Sequence, residues 1–475
     1  MNYKSFIKNK EIKTKSKGID VEVSDINNVL FPFQKDIVKW SLKKGKAAIF
    51  AGTGLGKTLM QLEWSKQIHD KTGENVLILA PLAVASQTAR EGLKIDLMVR
   101  LVRKNEDIQS GINIANYEIL HKLDLTKFGA VVLDESSILK SFTGKVRNSI
   151  INGFNFFPYK LACTATPAPN DHMELGNHSE FLNVMNRSEM LAMFFVHDAG
   201  QTQKWRLKGH AEDKFWEWVA SWAVMVTKPS DLGYEDGAFD LPPLNMNEVV
   251  IESKADEGHL IPVQAETLSE RRKARRESLE GRCQEAAKLA NNTKEQFLIW
   301  CDLNDESKRL KELIPDAIEV KGSDSPEHKE NAMLNFSEGN IRVLVTKPQI
   351  AGMGLNWQNC RNMAFVGLSD SFEQVFQAIR RCWRFGQDRE VNVHIVISEK
   401  EGAVLSNIQR KEKDFNVMIE GMVKFTKNIT KKNITTTVQE KAVYEGLKDM
   451  RLPSFLKGES NEYIRTENQR RICDL

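Results

Sequence analysis

The sequence predicts an α/β protein with two parallel-sheet units, and two observations carry this prediction. Short apolar runs typical of buried strands alternate with longer segments of helical pattern along most of the 475 residues. A second series of the same kind begins near residue 295, after a densely charged stretch. Ligands of such sheets bind at the carboxyl ends of the strands, so functional residues are expected there. The predicted strands are 47–50, 75–80, 97–102, 112–115, 130–133 and 160–164 in the first unit, and 297–301, 317–320, 341–346, 362–366 and 391–397 in the second.

Composition narrows the function classes. Hydrophobic residues make up 41% of the chain and charged residues 28%, as in soluble globular proteins. The net charge is only +3, so a nucleic-acid partner would be held by local basic patches. The six scattered cysteines form no Cys-x-x-Cys pair, which favours free thiols in a reducing cytoplasm over a zinc site or disulfides. No secretory signal is legible, and no apolar run approaches the roughly 20 residues of a membrane helix, so we expect no membrane partner.

The first strand leads into a glycine-rich loop and then a helical segment. Strand, glycine loop and helix in this order are typical of a phosphate-binding loop, whose backbone N–H groups cradle phosphate oxygens. Lys57 would reach the β- and γ-phosphates, and the Thr58 hydroxyl would bind Mg²⁺. The alternative is an ordinary strand-to-helix turn, and Ala51 stands where the strict motif has glycine. The residues predicted to bind the nucleotide here are Gly52, Thr53, Gly54, Leu55, Gly56, Lys57 and Thr58.

A glutamine precedes this loop by one short helix. Gln34 follows the aromatic residues Phe31 and Phe33. A glutamine amide donates to and accepts from an adenine edge at once, and an aromatic ring just upstream can stack on the base. We therefore predict that Gln34 binds the nucleobase, whereas an isolated surface glutamine would carry no such meaning.

Two later strands of the first unit end in polar residues. The run 130–133 is followed by Asp134 and Glu135, of which Asp134 would hold Mg²⁺ and Glu135 would orient and deprotonate the attacking water. The alternative is a solvated acidic pair that opens a helix. The run 160–164 ends at Thr164 and is followed by Thr166, small hydroxyl residues that can bridge the nucleotide site to whatever the domain grips.

The order of these motifs resembles the superfamily-two DExx-box helicases and translocases, closest to the Swi/Snf-like branch. The motifs are LFPFQ, GTGLGKT, VLILAPLAVASQTARE, INIANYE, VVLDESSILKS and LACTATPAPND. The resemblance implies two RecA-like domains that use ATP and Mg²⁺. Ser136 and Ser137 depart from the residues usual after Asp-Glu, which bears on coupling rather than on hydrolysis. Lys140 and Ser141 match the end of the acidic motif. The residues implied to contact nucleic acid are Pro81, Gln87, Asn116, Tyr117, Thr164 and Thr166.

The second unit carries a glycine loop and an arginine motif. Gly354, in the loop GMGLN, would approach the nucleotide. The segment QAIRRCWRFGQ begins at Gln377 and matches the family pattern Q-A-x-x-R-x-x-R-x-G-Q closely. Arg381 and Arg384 share one helix face, from which they would reach the γ-phosphate held by the first domain and stabilise the transferred charge. The alternative is a basic surface helix. Asp370 lacks the Trp-Asn-Pro that follows in Swi/Snf-like proteins.

Two stretches are open to alternatives. Trp205 belongs to a core or to a base-stacking surface, and the basic run 269–282 is a solvated linker helix or a phosphate-binding patch.

The motifs also suggest a domain organisation. We predict a flexible basic arm at 1–24, a first RecA-like ATP-binding domain at 25–245 with a helical protrusion at 172–240, a charged linker helix at 246–290, a second RecA-like domain at 291–425 and a basic helical tail at 426–475.

The expected function is that of an ATP-dependent motor on single- or double-stranded DNA, a helicase or translocase that hydrolyses ATP between its two domains. An RNA helicase is the alternative within the enzymes. A non-catalytic clamp that binds ATP and nucleic acid is the alternative outside them, and only Ser136 and Ser137 favour it. The chain also fits the motor part of a larger repair, restriction or replication assembly.

Overall fold

Two parallel β-sheets, each covered by helices, form the framework of the protein. They are seen in a computed structural model, in which all described residues belong to one compact unit, Thr14–Thr437. The predicted fold class, an α/β protein with two RecA-like domains, is confirmed by these sheets. The described residues are 17–140, 144–197, 205–252, 268–351, 356–369 and 371–435.

The first sheet has seven strands within the described residues, in the order β3-β4-β2-β5-β6-β1-β9, and every neighbouring pair is parallel. The central strands are apolar and buried, which is why they were legible as short hydrophobic runs. The strands are β1 (Lys46–Ala51), β2 (Val76–Ala80), β3 (Val99–Leu101), β4 (Ile112–Asn116), β5 (Ala130–Asp134), β6 (Tyr159–Thr164) and β9 (Ala223–Val226).

Helices and a small hairpin surround this sheet. The hairpin pairs β7 (Phe195–His197) with β8 (Trp205–Leu207) in antiparallel fashion. Trp205 packs against the hydrophobic core, as the core interpretation of this stretch predicts. The helices are α1 (Pro32–Lys44), α2 (Lys57–Thr72), α3 (Leu82–Leu93), α4 (Lys145–Gly153), α5 (Leu175–Phe181), α6 (Arg187–Phe194) and α7 (Glu212–Ala220).

Strand β9 was not predicted, because it lies in the stretch 172–240 that was interpreted as a helical protrusion. Its four buried residues pair with β1 and extend the main sheet. The described part of that stretch therefore combines helices, the β7–β8 hairpin and a sheet strand. Four apolar residues after a tryptophan-rich helix are too few for their periodicity to distinguish a strand from a helix.

The second sheet has six parallel strands in the described residues, in the order β10-β15-β14-β11-β13-β12. Strand β10 was also missed. It begins at the end of the predicted first domain, 25–245, and continues into the predicted linker, 246–290. It runs parallel to β15 along its whole length and forms an exposed edge of this sheet. The strands are β10 (Leu244–Ile251), β11 (Phe297–Cys301), β12 (Ala317–Glu319), β13 (Val343–Thr346), β14 (Asn362–Val366) and β15 (Val391–Ser398).

The basic run of the predicted linker is helical, but part of it is buried. The Arg282 guanidinium has no exposed surface and lies 2.7 Å from the Glu306 carboxylate. Arg275 pairs with Asp302 at 2.5 Å. These two arginines therefore join their helices to the segment that follows β11, and neither is solvated nor free to bind a phosphate. The helices of this domain are α8 (Leu268–Glu277), α9 (Leu279–Asn291), α10 (Asn304–Leu313), α11 (Pro326–Ser337), α12 (Pro348–Ala351) and α13 (Phe372–Ile379).

The last described helix, α14 (Gly402–Thr435), touches both domains. It follows the second sheet and packs against α13, where Phe415 contacts Phe372 and Phe376. Farther along it packs against α7, β9 and α1 of the first domain. At Gly421 an added Cβ would lie 2.9 Å from the Trp216 indole nitrogen, so only glycine permits this approach. Of the described helices, none combines the length and apolar character that crossing a bilayer requires.

Candidate functional site

The glycine-rich loop has the backbone that a phosphate-binding loop needs. It connects β1 to α2, as predicted. Gly54 and Gly56 have φ of 92° and 79°, in the left-handed region that residues with a Cβ rarely adopt. A Cβ at Gly56 would lie only 2.3 Å from Gln34 Nε2. The glycines are therefore required both by the backbone conformation and by the close approach of α1.

Lys57 opens α2 with its ammonium turned back into the loop. Its Nζ donates to the carbonyls of Ala51, at 2.8 Å, and Gly52, at 3.4 Å. Burial lowers the pKa of Lys57, and the nearby charges of Glu135 and Asp134 oppose that shift. The loop lysine and the two acids thus lie in one electrostatic neighbourhood, although they are far apart in sequence.

Gln34 lies beside the loop, buried, with both ends of its amide engaged. Its Nε2 donates to the Leu55 carbonyl at 2.8 Å, and its Oε1 accepts from the Phe31 amide at 2.9 Å. Its predicted contact with adenine stays a prediction. Sequence reasoning missed its wider surroundings, in which Phe31 contacts Phe239 with ring centroids 5.1 Å apart.

The two predicted acids lie at the end of β5, facing the loop. Asp134 is buried, and burial together with the Glu135 charge raises its pKa to about 6. Its Oδ1 accepts a hydrogen bond from the Glu135 amide at 3.1 Å. Glu135 has a φ of 53°, a left-handed conformation that costs a residue with a Cβ about 1–2 kcal/mol.

The residues after the acids are buried rather than solvated. Ser136 Oγ lies 3.0 Å from Nε2 of His178 in α5. Burial lowers the pKa of His178 to about 4, so the ring is neutral at physiological pH. The unusual serine therefore connects the acidic motif to α5, a partner that no spacing in the sequence indicated.

Asn116 and Tyr117, at the end of β4, serve the local structure. The Asn116 side chain caps the following turn by accepting from the Ile119 amide at 3.1 Å. Tyr117 is buried, and its hydroxyl donates to the Asp134 carbonyl at 2.7 Å. The Tyr117 ring thus packs in the core and its hydroxyl supports the acidic motif, while its predicted contact with nucleic acid stays a prediction.

Thr164 and Thr166 are also buried, and they bridge the acids to the second domain. Thr164 Oγ1 donates to Glu135 Oε2 at 3.2 Å. Thr166 Oγ1 donates to Glu373 Oε1, across the domain boundary, at 3.2 Å. Hydrogen bonds from these two hydroxyls thus reach Glu135 and Glu373, while the predicted contact of the threonines with nucleic acid stays a prediction.

The arginine segment of the second domain meets the glycine-rich loop of the first. A Cβ at Gly54 would lie 2.9 Å from the Phe385 amide nitrogen and 3.6 Å from Arg384 Cβ. Burial lowers the pKa of Arg381 to about 9 and of Arg384 to about 10, and the Glu135 charge opposes the shift at Arg381. Both guanidinium groups remain charged at neutral pH, beside the lysine and the acids of the first domain.

The remaining predicted residues are placed as follows. Gln377 is buried on α13, one turn before Arg381. Pro81 precedes α3, and Gln87 lies within that helix. Their proposed roles stay predictions. Gly354, Ser141 and Asp370 lie outside the described residues.

A magnesium ion would be held at the loop by few protein ligands. Among the described residues there is no group of three or more His, Cys, Asp or Glu side chains fit for a metal. The site does offer the hydroxyl of Thr58, the first-turn neighbour of Lys57, and the Asp134 carboxylate. Oxygen donors of this kind fit Mg²⁺, which takes its other ligands from phosphates and water.

Comparison with known families identifies the domain that carries the arginines. Residues 281–386 match the family described as the helicase conserved C-terminal domain. The matched residues cover β11 to β14 together with α13, and they include Gln377, Arg381 and Arg384. The match supports the resemblance to superfamily-two helicases that the motifs indicated.

Comparison of whole chains adds two observations. No curated protein is similar enough in sequence to count as a match. Among solved structures, the chain is similar to the Sulfolobus solfataricus SWI2/SNF2 ATPase core in complex with dsDNA. The sequence identity is 17%, the TM-score is 0.41, and the comparison covers 88% of this chain and 99% of that chain.

Proposed function

We propose that the chain is an ATP-dependent nucleic-acid motor, a DNA translocase or helicase of the Swi/Snf-like branch that hydrolyses ATP between its two domains. One observation carries the proposal: Arg384 and Phe385 of the second domain lie against the glycine-rich loop at Gly54. A phosphate loop and an acidic pair in one domain, completed by arginines from the other, form the constellation that phosphoryl transfer requires.

Each side chain has a role in that reaction. Lys57 binds the β- and γ-phosphates, exchanging its bonds to the loop carbonyls for bonds to phosphate oxygens. Thr58 and Asp134 would hold Mg²⁺, which would neutralise phosphate charge. Glu135 orients the attacking water and takes its proton. Arg381 and Arg384 stabilise the negative charge that develops on the transferred group.

A site divided between two domains converts hydrolysis into movement. ATP contacts both domains and holds the cleft closed, and loss of the γ-phosphate removes the contacts made by the arginines. A nucleic-acid strand lying across both domains is then displaced with each cycle. Its grip is expected mainly on phosphates, so binding weakens steeply with salt and shows little sequence preference.

The choice of DNA rests on the Swi/Snf-like order of motifs from LFPFQ to TATPAPND. The first-domain residues proposed to contact the strand are Pro81, Gln87, Asn116, Tyr117, Thr164 and Thr166. The departures at Ser136 and Ser137 leave the lysine, the acids and the arginines of the site unchanged. They therefore bear on how hydrolysis is coupled to movement, and hydrolysis itself is expected to proceed. The departure after Asp370 bears instead on which branch of the superfamily the chain resembles.

ATP hydrolysis at low salt tests the proposal, measured alone and then with duplex DNA, single-stranded DNA or RNA. We expect strong stimulation by duplex DNA that is abolished in Lys57→Ala. Stimulation by RNA in preference to DNA would indicate an RNA helicase instead. No turnover under any condition, with ATP and DNA still bound, would indicate a non-catalytic clamp.

A further inference from the structure

Glu373 lies where the helix that leads to the arginines meets the first domain. It occupies the first turn of α13, the helix that carries Gln377 and ends just before Arg381. Its side chain is only 8% exposed. A carboxylate in such a position is expected to have fixed partners, because a buried charge without them is costly.

Both partners of this carboxylate come from the other domain. Lys140, in the turn that follows the acidic motif, bonds to Glu373 Oε2. Thr166, after β6, donates to Glu373 Oε1 at 3.2 Å. The Lys140 side chain remains 42% exposed, so the pair is desolvated mainly on the glutamate side. One second-domain carboxylate is thus held by two first-domain donors, one to each oxygen.

Thr166 continues the connection back to the acidic motif. Its amide donates to Thr164 Oγ1 at 3.1 Å, and Thr164 Oγ1 donates to Glu135 Oε2 at 3.2 Å. Three consecutive hydrogen bonds therefore join Glu135 to Glu373. All the residues of this connection except Glu135 and Lys140 are buried, so water competes little for these bonds.

We propose that Glu373 is a positioning residue that couples the state of Glu135 to the placement of Arg381 and Arg384. The inference rests on the proposed function, since it assigns the coupling step of the same site. When Glu135 turns to its water, its bond to Thr164 changes, and the change reaches α13 through Thr166 and Glu373. The connection orders the groups and transfers no proton, because the Thr164 hydroxyl donates to Glu135 and its oxygen accepts from the Thr166 amide.

The proposed coupling depends on the negative charge of Glu373. A glutamine at position 373 keeps the shape and one acceptor oxygen, but it cannot form a charged pair with Lys140. The bond from Thr166 would persist while the attraction between the domains weakened. Substitution should therefore affect the stimulated step more than the binding of ATP.

The test compares Glu373→Gln with Glu327→Gln, which removes the same charge from the exposed surface of α11 in the same domain. In ATP hydrolysis with saturating duplex DNA, Glu373→Gln is expected to lose about tenfold in stimulated kcat with the KM for ATP within about twofold of wild type. Glu327→Gln should match wild type in both. Equal DNA stimulation in Glu373→Gln and wild type would overturn the inference while leaving the proposed function intact.

A second variant keeps the test informative if Glu373→Gln folds poorly. Lys140→Met alters the half-exposed partner, and it should lose stimulation to the same extent. The double variant Lys140→Met/Glu373→Gln should be no worse than either single variant, because both remove one interaction. Additive losses would overturn the coupling. If wild type itself is not stimulated by any nucleic acid, both the proposed function and this inference fail.

Discussion

Gly54 of the phosphate loop lies directly against the backbone of Phe385 in the second domain. A Cβ at Gly54 would come within 2.9 Å of the Phe385 amide nitrogen. Phe385 follows Arg384 immediately, so the distance between these two residues sets how closely the arginine segment approaches the loop. The fit leaves no room for a side chain.

The first prediction follows from this fit. Gly54→Ala places a methyl group against Phe385 and forces it into a φ of 92°. Gly73→Ala is the matched control, because Gly73 also has a positive φ, of 75°, but nothing within 4 Å of the added Cβ. Both variants should lose about 1–2 kcal/mol in free energy of unfolding. Only Gly54→Ala should also lose ATP turnover, and equal turnover in the two variants would contradict the domain contact.

The second prediction concerns Glu135. Glu135→Gln keeps the side-chain shape and the acceptor for Thr164 but removes the base. It should bind ATP with near wild-type affinity. Its rate of hydrolysis should fall by about a hundredfold or by more. Binding of a fluorescent ATP analogue and single-turnover hydrolysis measure the two quantities separately. Turnover at the wild-type rate would show that another group takes the proton.

The third prediction concerns the arginines of the second domain. Arg381→Ala and Arg384→Ala should each lower kcat by roughly a thousandfold, because a guanidinium at the transferred phosphate acts mainly in the transition state. The affinity for ATP should change much less. Arg389→Ala, an exposed change in the same domain, should leave both quantities unchanged. A loss of ATP affinity without a loss of kcat would contradict the assigned role.

The fourth prediction is a pH dependence that arises from His178. Burial holds its pKa near 4 in the folded protein, below the ordinary value of 6.5. The unfolded chain therefore binds more protons below pH 6.5, and the stability contributed by the neutral ring is lost as pH falls toward 4. Between pH 7.5 and 5 this loss is about 2 kcal/mol.

Urea denaturation at the two pH values measures this effect. The fall in unfolding free energy should be about 2 kcal/mol smaller for His178→Gln than for wild type, since the variant has no ring to protonate. His121→Gln, at an exposed position, should parallel wild type. An unchanged pH dependence in His178→Gln would show that another group is responsible.

The sequence was most informative where strands are buried and motifs are contiguous. Runs such as 130–133 and 297–301 are apolar because both faces of their sheets are covered. The loop from Gly52 to Thr58 was equally legible, because its positive φ values demand glycine. These features follow from local rules and need no knowledge of the fold.

Other features depend on contacts between distant residues, and these were missed. Strand β10 is an exposed edge whose Met246 and Val250 face solvent, so it carries no burial pattern. Tyr117 packs in the core and bonds to the Asp134 carbonyl, which only the fold brings near. The pairing of Lys140 with Glu373 spans the two domains and has no local signature.

Displacement of a third strand from duplex DNA tests the central claim most directly, because it reports movement along the duplex and not only hydrolysis. Wild type is predicted to release the third strand in an ATP-dependent manner, and Lys57→Ala and Glu135→Gln to leave it bound. Persistence of the third strand while wild type hydrolyses ATP on the same duplex would contradict the assignment of a DNA motor.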